Sequence, residues 1–383
     1  MKILRCIHSL DPVIGGPLES VKQSSRILAQ RGHEVEVVSL DAPNRPWLQD
    51  FPATVHALGP GRGSYGYAPR FLPWLKEHRA RFDAAVVHGI WQYNSFGVWR
   101  ALHGSATPYF VFPHGMLDPW FNRTYPLKHL KKLLYWPWAE YRVLRDARAV
   151  LFTSEEERRL ARGSFALYRC REVVVNYGTA APETDLPAAK EEFLNRFPEL
   201  RGKDFLLFLG RLHEKKGCEE LIHVLAERNA DHLVFAGPSA NQSYLERLKS
   251  LTSALGCNGR ITFAGMLTGK LKWGAFASAS AFILPSHQEN FGIAVAEALA
   301  CGIPVLISNK VNIWREIVED GCGLAEEDDL AGTRRLLARW AATSPPERRA
   351  MSAKARDCFA RRFEINRAVD SFLHVLQDPA LAG

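Results

Sequence analysis

AFILPSHQENFGIAVAEALACGIPVLI, residues 281–307, reads as one βαβ unit. AFIL (281–284) and PVLI (304–307) are short, continuous apolar runs, the pattern of strands buried on both faces of a parallel sheet. Between them lie a polar loop and a helix. Glu289 stays on the loop at the carboxyl edge of the sheet, and Glu297, eight residues on, lies inside the helix. The two carboxylates can therefore grip different parts of one extended ligand. Asn290, Phe291 and Gly292 form the helix N-terminus, whose free N–H groups and dipole favour a phosphate, and Gly292 lets that phosphate approach the backbone. Taken alone, the spacing is better explained by Glu289 capping the helix and Glu297 lying in solvent, so the surrounding chain has to decide.

The same rhythm runs through the rest of the sequence. In the first half, strands are expected near 2–8, 34–39, 53–58, 83–88, 109–113, 148–153 and 172–175, with helices such as 18–31, 69–81, 94–104, 128–144 and 155–163 between them. A second series has strands at 205–209, 232–236, 261–264, 281–284 and 304–307. The result is an α/β chain with two doubly wound parallel sheets. The polar stretch 177–203, which carries three prolines, reads as the interdomain connection, so the expected domains are 1–180 and 181–362. The tail from 345 on is helical in pattern and adds no strand.

A length of 383 residues with 47% hydrophobic residues suits two cores of ordinary size and excludes fibres and wholesale disorder. No apolar run approaches the roughly 18–20 residues needed to span a bilayer. Arg5 and His8 break the N-terminal apolar run, so a secretory signal is not expected and cytoplasmic residence is. The seven cysteines are scattered and never in CxxC spacing, which argues for reduced thiols rather than disulfides or zinc. Charge is uneven. Residues 1–182 carry 24 Lys and Arg against 15 Asp and Glu, and residues 183–383 carry 25 against 26. The whole surplus of +8 therefore sits in the first half, which points to an anionic partner there or simply to solubility.

In open α/β sheets, ligands bind at the carboxyl ends of the strands, so loops at those ends count most. GRLHEKKGCEELI (210–222) follows strand 205–209 and places Arg211 and Lys216 before a helix, a fork and a point charge suited to a diphosphate. SLDPVIGGPLESV (9–21) leads from the first strand through Gly15 and Gly16 into a helix, where adjacent glycines can form an N–H nest for an anion. PHGMLDPWFN (113–122) sets His114 at a strand end, able to donate to a hydroxyl or phosphate or to shuttle a proton, with Asp118 near enough to orient it or to contact an acceptor.

With the paired glycines, PHG, GRLHEKKG and ENFGIAVAEALACGIPV in this order, the chain resembles the GT-B fold glycosyltransferases of family 4, the group 1 glycosyltransferases, over essentially its whole length. The family's E-x7-E pattern is here Glu289 to Glu297. The resemblance implies two Rossmann-like domains facing across a cleft, the first on the acceptor side and the second binding a nucleotide-diphosphate sugar, with a last helix, 363–383, crossing back to the first. It implies that Arg211 and Lys216 hold the donor's diphosphate, that Glu297 holds the ribose and Glu289 the sugar hydroxyls, that Gly16 borders the phosphates, and that His114 lies against the sugar ring. It also implies hexosyl transfer with retention of configuration, from a GDP-mannose or UDP-hexose type of donor to a lipid-linked or saccharide acceptor, as in surface polysaccharides such as lipopolysaccharide or exopolysaccharide. No cofactor or metal is expected. The residues agree with that, for no D-x-D pair occurs and Arg211, Lys216 and a helix dipole are left to stabilise the leaving diphosphate.

GRGSYG (61–66) matches G-x-G-x-x-G, but Tyr67, Ala68 and Pro69 separate it from the next helix, so it reads as a loop rather than a dinucleotide site. YPLKHLKKLLYWPWAEYR (125–142) sets Lys128, Lys131 and Lys132 among leucines and tryptophans. That pattern suits peripheral contact with an anionic membrane, such as the inner face of the cytoplasmic membrane, or the domain's own core. Nucleic acid is not an expected partner, since no reader motif accompanies the charge. The alternatives are a nucleotide-sugar epimerase of the same architecture and a bilobed binding protein without catalysis. The base and sugar of the donor are not legible.

Overall fold

The computed structural model describes residues 1–228, 232–239 and 241–381. It divides into two compact units, one formed by 1–178 together with 365–383 and the other by 179–364. The first holds a seven-stranded sheet: β1 (Lys2–Ile7), β2 (Glu34–Ser39), β3 (Thr54–Ala57), β4 (Ala84–His88), β5 (Tyr109–Phe112), β6 (Ala149–Phe152) and β7 (Glu172–Val174), in the order 3-2-1-4-5-6-7. The second holds six strands: β8 (Phe205–Leu209), β9 (His232–Ala236), β10 (Ile261–Gly265), β11 (Ala281–Leu284), β12 (Val305–Ser308) and β13 (Gly323–Glu326), in the order 10-9-8-11-12-13. Every pairing is parallel.

Parallel strands need helical crossovers on both faces, which is why their side chains are buried on both sides. On β1, Leu4 and Cys6 enter one core with Val38, Val87, Val111 and Phe152, while Ile3 and Ile7 are buried too. In each sheet the strand order reverses between two neighbours, β1 and β4 in the first and β8 and β11 in the second. Loops leaving these strands diverge to opposite faces and open a crevice at the carboxyl edge. The paired glycines follow β1, His88 ends β4, Arg211 follows β8 and the Glu289 loop follows β11.

Several expectations need correction. The helix expected over 128–144 is two pieces, Pro126–Tyr135 and Glu140–Arg145, preceded by a short helix Trp120–Thr124. Pro126 starts the first of the two, as proline can at a first turn, and Pro137 lies in the break after it. The stretch 177–203 is not mainly a connector. Its helix Leu186–Arg196 packs so closely on the helix Gly269–Ser278 that a Cβ at Gly274 would fall 2.1 Å from the Ala189 oxygen. Strand β13 went unread because GLAE is a half-exposed edge segment without an apolar run. The C-terminal helix Ile365–Gln377 belongs to the first unit. There Asp370 pairs with Arg31, Asn366 Oδ1 accepts from Arg31 at 3.2 Å, and Ser371 Oγ accepts from Asn176 N–H at 3.1 Å.

Candidate active site

In the second unit the switch-point loops meet. Gly217 ends the short turn Glu214–Lys216 in the left-handed region, φ 69°, and a Cβ there would lie 2.4 Å from the Pro285 oxygen. Glycine is thus what lets the turn lie on the first residue of the Glu289 loop. That closeness brings the Lys216 ammonium into contact with the Glu289 carboxylate, both largely buried. Burial first, then the Lys215 and Arg211 cations, pull the Lys216 amine down to about 7. Lys215 Nζ donates to Gln288 Oε1 at 3.3 Å. Arg211 is exposed and makes no ion pair among the described residues.

Glu289 is held by its main chain. Its N–H donates to the Lys310 oxygen at 3.0 Å, and its carbonyl accepts from Asn312 N–H at 3.0 Å. Asn290 Oδ1 accepts from Asn312 Nδ2 at 3.3 Å. The following helix is Ile293–Ala300, with Gly292 as its N-cap at φ 76°. Phe291 turns its ring into the unit, 5.6 Å from that of Phe363, so only its backbone is placed to meet a ligand. Glu297, 4% exposed, accepts from Lys272 Nζ at 2.8 Å, and that amine lies 4.2 Å from the centre of the Trp273 ring. An uncompensated buried carboxylate is costly, and Lys272 is one cation that offsets it here.

In the first unit, Gly15 caps the helix Gly16–Gln30 at φ 81°, with open space where a side chain would stand. Gly16 is the first residue of that helix and Pro17 the second. His114 follows β5 with φ 50°, an uncommon conformation for a residue with a side chain. The turn is held from below by Glu157, whose Oε1 accepts from Gly115 N–H at 2.6 Å and whose Oε2 accepts from Thr153 N–H at 2.7 Å. His114 Nε2 lies 3.1 Å from His88 Nδ1, and the two rings stack with Phe112. Burial, and after it the Arg5 cation, hold His114 down to about 3, and the same two causes hold His88 well below the ordinary histidine range. His114 is therefore a neutral ring at physiological pH. It can hydrogen-bond, but it does not carry a transferable extra proton. Arg5 is 3% exposed, its guanidinium lying 5.3 Å from the centre of the Phe372 ring. Asp118 Oδ1 accepts from Trp120 N–H at 2.8 Å, at the turn that leads into the short helix Trp120–Thr124.

Two family models meet this architecture. "Glycosyl transferase 4-like domain" matches residues 15–178, and "Glycosyl transferases group 1" matches residues 189–357. The chain belongs to the group 1 glycosyl transferases. An uncharacterized glycosyltransferase of Methanocaldococcus jannaschii is 32% identical over 44% of this chain and 45% of its own length. A D-inositol 3-phosphate glycosyltransferase of Acidothermus cellulolyticus is 29% identical over 45% of this chain and 40% of its own. The matches thus span less than half the length of these two relatives. A GDP-mannose-dependent alpha-mannosyltransferase of Mycolicibacterium smegmatis is 27% identical over 80% of this chain and 79% of its own. Sucrose-phosphate synthase from Thermosynechococcus elongatus shares the fold with a TM-score of 0.80 at 19% identity over 100% of both chains. Anabaena Alr3699/HepE in complex with UDP and glucose does so at 0.77 and 16%, over 99% of this chain and 100% of that one. The fold is GT-B, two Rossmann-like domains.

For a group 1 glycosyl transferase, the sequence named the residues at the strand ends and missed those that hold them. His88, Glu157, Lys272 and Lys310 act on the named residues through contacts between segments far apart in the chain. Arg5 left one trace, a charge inside an apolar strand.

Proposed function

We propose that this protein transfers a hexosyl residue from a nucleoside diphosphate sugar to a lipid-linked or saccharide acceptor, with retention of configuration and without a metal ion. The observation that carries the reading is the Lys216–Glu289 contact at the β8/β11 switch point, with Arg211 beside it and Glu297 held by Lys272. In this reading a diphosphate displaces the Glu289 carboxylate from Lys216 and takes its place between Lys216 and Arg211. Glu289 is then free to accept hydrogen bonds from the sugar. Two preorganised cations at the departing diphosphate supply the kind of electrostatic stabilisation that dominates such transfers. Glu297 accepts from the ribose hydroxyls. Support for the donor class comes from the mannosyltransferase relative and from the fold neighbour bound to UDP and glucose. Incubating the protein with UDP-hexose or GDP-mannose, a saccharide acceptor and a chelator, and reading the product anomer by NMR, tests it. Retention without added metal is expected. Inversion, a requirement for a divalent ion, or conversion of the donor in the absence of acceptor would each overturn it.

The acceptor is assigned to the first unit, which carries 25 Lys and Arg against 17 Asp and Glu, while the second carries 24 of each. The helix Pro126–Tyr135 has no buried residue. Leu127 is 80% exposed, Leu130 57%, Leu134 71%, and Trp138 beyond it 50%. Trp136 alone of this group enters the core. Lys128 and Lys131 are exposed along the same helix, whereas Lys132 turns inward over the Trp91 ring at 4.6 Å, its amine pulled down to about 8, chiefly by burial. No described helix is long and apolar enough to cross a membrane. Leucines left in water beside lysines suit one occupant, an anionic phospholipid surface on which a lipid-linked acceptor of a surface polysaccharide would be met.

A further inference from the structure

The Glu289 loop carries a histidine to which neither the sequence nor the donor reading gives a role. His287 lies two residues before Glu289, and its ring sits between two carboxylates from different elements. Nδ1 is 3.0 Å from Asp328 Oδ2, in the segment after β13. Nε2 is 3.4 Å from Glu220 Oε1, on the helix Cys218–Ala226 that begins just after Gly217. The His287 N–H donates to the Lys215 oxygen at 2.8 Å. Side chain and main chain together thus fasten the Glu289 loop to the turn bearing Lys216, to the helix behind that turn and to the chain after β13.

Only the imidazolium can serve both carboxylates, because a neutral ring offers one donor and turns a lone pair toward the other acid. The hydrogen bonds to Asp328 and then Glu220 outweigh burial and hold the ring up to about 9, so it is charged at neutral pH. Burial works to raise both acids, but the bond to His287 brings Glu220 below its ordinary value and does the same for Asp328, helped there by Lys310. The other titratable groups around the ring are Lys310, 3.8 Å from Asp328 and 3.6 Å from Glu327, and His223 one turn along from Glu220, while Lys215 offers its main-chain oxygen to His287 and its amine to Gln288.

We propose that His287 is the positioning residue of the donor site, its imidazolium fixing the Glu289 loop against the Lys215–Lys216 turn so that loss of its charge loosens the grip on a diphosphate. This rests on reading Lys216 and Glu289 as that grip. Charge on the ring is lost as pH rises through about 9, so donor affinity is set to decline in alkali through a group that never touches the donor.

The test is UDP and GDP affinity by calorimetry from pH 6 to pH 10, for the wild type, His287→Gln and Glu220→Gln, with hydrogen exchange of segment 286–292 followed in parallel. All three proteins keep Lys216, so its own titration is common to them and differences between the curves report His287. Beyond the decline common to all three proteins, the wild type should lose affinity by up to about tenfold per pH unit above 9, the limit for a single linked proton. His287→Gln should bind about tenfold more weakly at pH 7 and lack the extra alkaline fall. Glu220→Gln, a conservative change on the helix Cys218–Ala226, should move that fall to lower pH. Faster exchange of 286–292 should accompany the loss of charge. Curves and exchange indistinguishable from wild type in both variants would overturn the proposal. Failure of the wild type to bind either nucleotide would refute the donor reading instead, and exchange alone would then decide whether His287 positions the loop.

Discussion

Lys216 and Glu289 satisfy each other in the ligand-free protein, which makes their two substitutions unequal. Removing Lys216 leaves the Glu289 carboxylate largely buried and unpaired beside one remaining attachment, its main chain. Lys216→Ala should therefore cost stability, by about 1–3 kcal/mol in a denaturant melt, as well as donor affinity. Glu289→Gln keeps the shape and a hydrogen-bonding group, so it should leave the melt nearly unchanged while lowering kcat by about 10²–10³, the scale of losing one group that acts in the transition state. A drop in stability without loss of turnover in Glu289→Gln would count against its role. At this scale the sequence was legible wherever a functional side chain sits at a strand end beside a glycine. It was silent on Lys272 and His287, because nothing local to residues 272 or 287 reveals that they face carboxylates 25 and 41 residues away.

Turns and helices place those residues, and their tolerance to change follows from the backbone. Gly217→Ala would put a Cβ 2.4 Å from the Pro285 oxygen in a left-handed conformation. It should destabilise the second unit by more than about 1 kcal/mol and weaken nucleotide binding, whereas Gly202→Ala, also at positive φ but with open space, should show only the smaller backbone cost in the same melt. The helix Pro126–Tyr135 makes a different prediction. Replacing Leu127, Leu130 and Leu134 with serine should abolish sedimentation with vesicles rich in phosphatidylglycerol, since each buried leucine is worth about 1.5–3 kcal/mol, and Lys128→Glu with Lys131→Glu should weaken it most at low salt. Binding to neutral phosphatidylcholine vesicles as tight as to anionic ones would contradict the charge argument. The sequence left two readings of this segment open because leucines at helical spacing look the same facing a core or facing out. In the structure Trp136 turns inward while the leucines stay in water, so the core reading holds for Trp136 and the leucines keep the membrane reading as a proposal.

Across the whole molecule, His88 and His114 in the first unit and His287 in the second should contribute oppositely to stability as pH changes. His88 and His114 are buried and neutral, with His114 held down to about 3, so the unfolded chain takes up protons that the folded first unit refuses. Their contribution is complete above the ordinary histidine value near 6.5 and is lost as pH falls below it, by up to about 1.4 kcal/mol per unit for each ring. His287, held up to about 9, behaves in reverse. Its contribution is complete below about 6.5 and is lost as pH rises from there through 9, to a limit of roughly 3 kcal/mol that its partial exposure reduces. Lys216, held down to about 7, works the other way in the same unit, gaining stability as pH rises from there toward its ordinary value. The His287 contribution is therefore read as the difference in hydrogen exchange of the second unit between wild type and His287→Gln, which should shrink as pH rises through 9; a difference that stays constant across that range would contradict the assignment. The alternation of strands and helices revealed two sheets, and the charge count revealed which half carries the surplus. The strand order that makes β8 and β11 neighbours is a matter of long-range pairing, which no local pattern encodes. The central claim is that this switch point grips a nucleoside diphosphate through Lys216 and Arg211. Calorimetric titration with UDP, UMP, GDP and GMP in the presence of a chelator tests it most directly. One diphosphate should bind at least about tenfold tighter than its monophosphate, and Lys216→Ala with Arg211→Ala should erase that difference. Equal binding of mono- and diphosphates, or a difference that survives both substitutions, would contradict it.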